Sequence, residues 1–374
     1  MNKYIENNYA LLGKEIKKQD SLTRVMRNIM KKPILQYLVF GIVMFIVGYL
    51  AAERILPYSW QSAIATTLAF AIASIGFCLL MGYSGLASLG TGGFIGIGTY
   101  AVHYVMVEAG LPFSVAILVA ILVAVVIGLI VGFISLRIEG IYLVILTLAL
   151  SEILRTLYAA VEPLISVSTK GVVLFGIQFP RTSSIMLVTI FLFIIMTITT
   201  NLINSPTGRA MLAMKNSTAA AQAMGISLIK YRLMAFVICT VYAALAGTLL
   251  LVVNVSTNAI ESTSFYALIT SLNILAAVIV GGYKSVWGAV VGTFIMCGGF
   301  ELVVLQNQAV KDFFQMLIPG IDSNTIITLF SGILVIIIVM FYPGGLAQLR
   351  LELNGKISNL VKRIKEDRYG KDLG

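Results

Sequence analysis

Charge is scarce in this chain. Only 11% of its 374 residues are Asp, Glu, Lys or Arg, 59% are hydrophobic, and the mean hydropathy is +0.97, which excludes an ordinary soluble domain. There is one histidine, His103, so neither a histidine metal cluster nor a Ser-His-Asp triad can be assembled. The three cysteines, Cys78, Cys239 and Cys297, fall inside apolar runs without paired spacing, which argues against a disulfide framework or a zinc site. No Gly-x-x-x-x-Gly-Lys-Ser/Thr occurs, so the chain cannot itself cradle ATP as a P-loop does. Gly96 to Ala101 fits a loose dinucleotide pattern, but no soluble strand precedes it and no βαβ unit can be built around it.

Long apolar runs are what the chain has instead. They fall near 34–52, 62–81, 92–107, 113–135, 141–158, 184–203, 233–253, 267–281, 286–305 and 324–342. In hydrocarbon every backbone amide must be paired within the segment, so each run long enough to cross must be helical. The predicted fold is an all-α, polytopic transmembrane helical bundle of about ten spans. Eight runs have full length; 92–107 and 267–281 are short, as half-helices or re-entrant segments are. The first run follows a 32-residue polar leader, too long for a cleavable signal peptide, and is expected to remain as a span.

The net charge of +10 is concentrated: 19 of the 26 basic residues lie in 1–32, 204–232 and 349–374. Ten crossings put all three clusters on one side, as the positive-inside rule expects of cytoplasmic ends and loops, and the clustering argues against nucleic acid as partner. The predicted organisation is a basic N-terminal segment (1–32), a membrane domain (33–348) and a basic tail (349–374). In the tail, Leu353, Ile357, Leu360, Val361 and Ile364 have the spacing of an amphipathic surface helix. The connections 159–182 and 306–323 then lie outside.

Two segments near the membrane runs carry polar chemistry. Seven glycines fall between Gly82 and Gly98, a density costly inside a helix. It serves either close helix packing or exposure of backbone to a polar solute. Further on, Glu152 and Arg155 are three residues apart and share a helix face, where they form a structural ion pair near the membrane boundary. Glu301, without an obvious partner, is expected near the outer end of its run. The turn from Gly281 to Gly288 repeats a Gly-rich entry into a span about 200 residues after the first, a hint of duplication.

The polar stretch 204–232 has four basic residues and no acidic one. Pro206 suits the first turn of a helix, Ala210–Met214 and Ala219–Met224 favour helix, and Gly225 suits a terminator. Two short helices on the cytoplasmic face are predicted, with a soluble partner docked on them.

Together these motifs resemble the permease subunits of bacterial ABC importers for branched-chain amino acids, specifically the LivM branch. The resemblance rests on five stretches in one order: Gly82 to Tyr100; Gly140 to Arg155; Ser205, Gly208, Arg209, Ala210, Ala213, Ala220, Ala221, Ala223, Gly225 and Ile226; Gly281 to Gly288; and Tyr342 to Leu346. It implies a type II ABC-importer-like permease that carries no ATPase site and binds no cofactor of its own, with ATP and Mg used by two partner ATP-binding subunits. A homologous LivH-type permease and an extracytoplasmic solute-binding protein complete the implied assembly in a bacterial inner membrane, with both termini cytoplasmic.

The resemblance also assigns roles. Pro206, Gly208, Arg209, Ala220, Ala221 and Gly225 would couple to the ATPase, although Ser217, Thr218 and Gln222 stand where acidic residues are common in the family. Thr169-Lys170-Gly171 stands where many relatives show Thr-Gly-Gly. Gly82, Ser84, Gly85, Ser88, Gly90, Gly93, Gly96, Gly98 and Tyr100, with Thr91 and Thr99, would border the translocation path. The implied solute is a branched-chain amino acid; permeases for urea, nucleosides or simple sugars share the architecture. An ion-coupled carrier would need intramembrane carboxylates, for which only Glu152 and Glu301 qualify, and a membrane-embedded enzyme lacks a carboxylate cluster.

Overall fold

A computed structural model describes residues 33–53, 55, 57–135, 140–160, 172–174, 177–179, 183–253 and 268–299, and parts of 316–347. The segments 1–32 and 349–374, the Arg137 turn, Thr169-Lys170-Gly171, Glu301, residues 306–315 and most of the tenth apolar run lie outside the described residues.

Eleven helices are traced in the order α1 (Pro33–Ala52), α2 (Tyr58–Leu79), α3 (Thr91–His103), α4 (Phe113–Ser135), α5 (Ile141–Ala160), α6 (Ser184–Asn204), α7 (Pro206–Asn216), α8 (Thr218–Ala223), α9 (Leu228–Val253), α10 (Leu268–Gly281) and α11 (Val286–Phe294). Three of them run on into single π turns: Leu80–Ser84 after α2, Tyr104–Glu108 after α3 and Ile295–Gly299 after α11. The apolar runs that lie within the described residues thus become helices, and the described part of the chain is a helical bundle.

Between α5 and α6, β1 (Val172–Leu174) pairs antiparallel with β2 (Ile177–Phe179), Val172 opposite Phe179. This hairpin is the strand pairing found among the described residues.

Among the described residues, five helical stretches are long and apolar enough to cross a bilayer: Ile34–Ala52, Trp60–Ser84, Phe113–Ile134, Ser184–Asn204 and Leu228–Val253. α3 with its π turn covers 91–108, and α10 is described from Leu268 to Gly281. α9 starts five residues earlier than its apolar run, taking Lys230 and Arg232 into its first turns, where long basic side chains can reach polar surroundings while their stems lie on apolar surface.

Burial sorts the helices. In α2 and α9, 83% of the apolar window is buried, against 17% in α1 and 28% in α4, so α2 and α9 form the centre and α1 and α4 the lipid-like exterior. α9 packs on α2, α3 and α4; α1 lies on α6; α10 and α11 pack together beside α2. Small residues permit the closest approaches. A side-chain carbon on Gly98 would collide with the Ala244 carbonyl, and one on Gly247 with that of Ile95, so α3 and α9 meet backbone to backbone. Thr99 Oγ1 donates across this seam to the Gly247 carbonyl at 3.2 Å.

Candidate functional site

The polar stretch folds as the sequence predicts, into two capped helices. Ser205 is extended, and its hydroxyl accepts from the Gly208 amide at 3.4 Å while Pro206 opens α7. Ser217 ends α7 and, through its hydroxyl, accepts from the Ala220 amide at 3.3 Å to start α8. α8 closes with Gly225 at φ 79°. The Gly225 amide donates to the Gln222 carbonyl at 2.9 Å and the Ile226 amide to that of Ala221 at 3.0 Å. That pair of bonds is a Schellman closure, which favours glycine because only glycine enters the left-handed region without strain.

The six residues expected to couple to a partner separate into two groups. Pro206, Arg209, Ala220 and Gly225 are exposed, whereas Gly208 and Ala221 are buried. A side-chain carbon on Gly208 would strike the Ile203 carbonyl, so Gly208 sets the bend between α6 and α7. Apart from Arg209, the outward surface is made of uncharged groups, Ala213, Asn216 to Ala220 and Gln222 to Gly225, with Met224 projecting at 85% exposure.

A residue not assigned from sequence ties this loop to the bundle. The Lys215 ammonium donates to the carbonyls of Met81, at 3.0 Å, and Gly82, at 2.8 Å. These carbonyls belong to the π turn that ends α2, where unpaired carbonyls and the helix dipole favour a cation. The Lys215 stem runs over Gly85, and its ammonium stands 4.5 Å from the centre of the Tyr283 ring. Burial, and then the like charge of Lys284, hold the ammonium below the usual lysine range.

The turn between α10 and α11 closes the cluster. Tyr83 Oη donates to the Lys284 carbonyl at 2.9 Å, Cys78 Sγ donates to that of Tyr283 at 3.3 Å, and Gly82 presents its bare Cα to the same Tyr283 carbonyl. Three stretches far apart in sequence, 78–85, 215 and 283–284, therefore form one joint.

The other residues expected to border a path are held in the chain's own packing. Gly82, Ser84, Ser88, Gly90, Gly93, Gly96, Gly98 and Tyr100 are buried, as are Thr91 and Thr99; Gly85 is exposed. The inner face of α5 meets them in a ladder. Thr147 Oγ1 accepts from the Leu89 amide and Ser151 Oγ from the Gly93 amide, both at 3.0 Å. Tyr158 Oη donates to the Gly93 carbonyl, and Tyr100 Oη to the Tyr158 carbonyl, each at 2.9 Å. The two tyrosine rings stack 4.6 Å apart, and the Tyr158 ring fills the space beside Gly96.

Two further amides at the start of α3 are also covered: Gly90 by Ser88 Oγ at 3.2 Å and Gly92 by Ser271 Oγ of α10 at 2.8 Å. Each amide would otherwise be a buried orphan. The hydroxyls of Ser84 and Thr91 are buried without a hydrogen-bond partner among the described residues. The sequence carries one signal of the ladder: Thr147 and Ser151 are four apart, like Leu89 and Gly93, so the two helices keep register for one turn.

On the flank of α5, one turn from Ser151, Arg155 Nε donates to Glu152 Oε1 at 2.9 Å and Arg155 Nη2 also reaches that oxygen. The expected pair forms. Glu152 is exposed and Arg155 half-buried, so the pair is not enclosed by the subunit.

A helical bundle built on several membrane-length apolar helices, with a rigid polar loop jointed to its core, defines a multi-pass membrane protein of the transport-permease class. Residues 61–341 match the family described as branched-chain amino acid transport system / permease component, and the chain belongs to that family. Two relatives are high-affinity branched-chain amino acid transport system permease proteins LivM. That of Escherichia coli (strain K12) is 26% identical over 340 residues, covering 80% of this chain and 74% of its own. That of Salmonella typhimurium (strain LT2) is 28% identical over 314 residues, covering 75% and 68%. No solved structure matches. As a permease component the chain is a non-enzymatic membrane subunit of an ABC transporter.

Proposed function

We propose that this chain is the LivM-type subunit of an importer that passes branched-chain amino acids from an external binding protein across a bacterial inner membrane. A LivH-type permease is its membrane partner. Two ATP-binding subunits, using ATP and Mg, drive the cycle from the cytoplasmic side, and the basic clusters at both ends and in the α7–α8 loop support that side for all three.

The observation that carries this reading is the loop itself. Its ends are fixed by Ser205, Ser217 and the Gly225 closure, its exposed surface around α8 is uncharged, and Lys215 joins it to the end of α2. A short helix with small outward residues fits into a groove, and a displacement there reaches α2 and the α10–α11 turn through Lys215 and Tyr283. The Gly-rich α3 contributes by holding α5 and α9 in close register beside the path.

The test is uptake by the purified four-component membrane complex in proteoliposomes loaded with ATP. Leucine, isoleucine or valine delivered by the binding protein should be taken up and should stimulate ATP hydrolysis. Stimulation by a nucleoside-, urea- or sugar-loaded binding protein, with none for leucine, would replace the solute. Uptake driven by a proton gradient after ATP depletion would overturn the ABC reading.

A further inference from the structure

The ion pair on α5 occupies a place where lipid would not tolerate it. α5 has 20 residues, about 30 Å of helix and thus about the thickness of the hydrocarbon layer. Glu152 is the twelfth residue and Arg155 the fifteenth, so Glu152 lies near the middle of the helix and Arg155 about one turn beyond it, not at the boundary that the sequence suggests. Among the described acidic residues, Glu53 and Glu108 stand at helix ends and Glu152 alone stands inside a helix.

The inner face of α5 is committed to the bundle through Thr147, Ser151 and Tyr158. Its outer face, with Tyr142, Ile145, Ala149, Ile153 and Leu157, is exposed, and the ion pair flanks it. Intramembrane charges face a protein interior or a water-filled cavity, not acyl chains. Among the described residues neither surrounds Glu152. A second wall has to come from outside them.

The chemistry left over at the pair says what passes along that wall. Both contacts use Glu152 Oε1, so Glu152 Oε2 and Arg155 Nη1 keep free hydrogen-bonding capacity, with no further partner among the described residues. A free carboxylate oxygen beside a free guanidinium N–H is the complement of an α-ammonium beside an α-carboxylate. The apolar strip of Ile145, Ala149 and Ile153 lies next to them and suits an aliphatic side chain.

We propose that the outer face of α5 lines the solute route between this subunit and a second permease, and that Glu152 and Arg155 take the two charged ends of a zwitterionic amino acid there. The inference rests on the reading of the chain as an amino-acid permease. The pair is its own counter-ion when the route is empty, which keeps the resting cost of two intramembrane charges low and lets a solute exchange in and leave.

The experiment uses the assembled complex in membranes. Ile145→Cys, Ala149→Cys and Ile153→Cys are treated with a charged thiol reagent, beside Leu122→Cys and Val126→Cys on the exposed face of α4; the parent chain, with Cys78 and Cys239 buried, sets the background. Labelling of the three α5 positions and not of the α4 positions is expected. No labelling on α5 would mean lipid or a dry helix contact and would overturn the proposal.

In parallel, Glu152→Gln and Arg155→Met should each lower uptake by at least about tenfold when compared at equal amounts of assembled complex. The exchange E152R/R155E keeps an ion pair but not the three-point arrangement of anion, cation and apolar strip. Its uptake should stay low; recovery to the parental rate would show a purely structural pair. Failure of the parent complex to take up leucine at all would count against the amino-acid reading alone, since the labelling pattern is read without any solute.

Discussion

The Lys215 ammonium lies 2.8 Å from the carbonyl oxygen of Gly82, 133 residues away in sequence, and this bond with its neighbour to Met81 fastens the polar loop to the end of α2. Lys215→Met keeps much of the stem over Gly85 and removes the donors. Two carbonyls are left without their cation, at a cost of about 2 kcal/mol. The expected outcome is a lower thermal midpoint for the detergent-solubilised protein and ATP hydrolysis no longer stimulated by loaded binding protein. Lys215→Arg should recover the stability in part.

Close approach at Gly82 and Gly98 makes both intolerant of one methyl group. Gly82→Ala pushes Cβ into the Tyr283 carbonyl, and Gly98→Ala into that of Ala244; each should destabilise by about 1–3 kcal/mol or more, because backbone has to move. At Gly41 the nearest atom to a new Cβ is 3.7 Å away on the Phe193 ring, so Gly41→Ala should be neutral. Thermal unfolding of the three variants side by side checks the contrast.

The hydroxyl ladder predicts a pattern of rescue. Thr147→Val and Ser151→Ala each strip the acceptor from a buried amide, Leu89 or Gly93, and should cost about 1–3 kcal/mol. Thr147→Ser and Ser151→Thr keep the oxygen, and the first of these should restore most of the loss. The added methyl of Ser151→Thr has little room, since Gly93 already lies against Ser151. Hydrogen exchange at the start of α3 would report the freed amides directly.

Gly225→Val places a β-branched residue in the left-handed region, and Ala220→Asp puts a charge on the exposed surface of α8. The first should unwind the end of α8 at a cost of about 1–2 kcal/mol; the second should leave the fold intact. Both should separate ATP hydrolysis from uptake while membrane insertion is normal. Parental uptake in both would refute docking at this loop.

Much of the loop was legible because its signals are local. Pro206, the alanine runs and Gly225 act within a few residues of themselves, and α7, α8 and the closure follow from them. The membrane helices were legible for the same reason, since the hydrocarbon imposes one solution on each apolar run. Lys215 was not. It reads as one of four loop cations, and only the arrival of the α2 end and Tyr283 distinguishes it from Arg209, which donates to the neighbouring Asn204 carbonyl at 3.1 Å. The Gly-rich segment was legible as special but not in its use, because a bare Cα serves a close neighbour and a polar solute equally well.

By itself the sequence determined the helical class, the polar loop with its caps, and the pairing of Glu152 with Arg155, all through interactions that span a few residues or arise between chain and solvent. The tertiary structure decided which residues meet across helices: Gly98 against Ala244, Thr147 and Ser151 over the start of α3, Lys215 at the end of α2, and the ion pair on the face of α5 that the bundle leaves uncovered. Those depend on the relative placement of rigid helices, which periodicity along one segment does not contain.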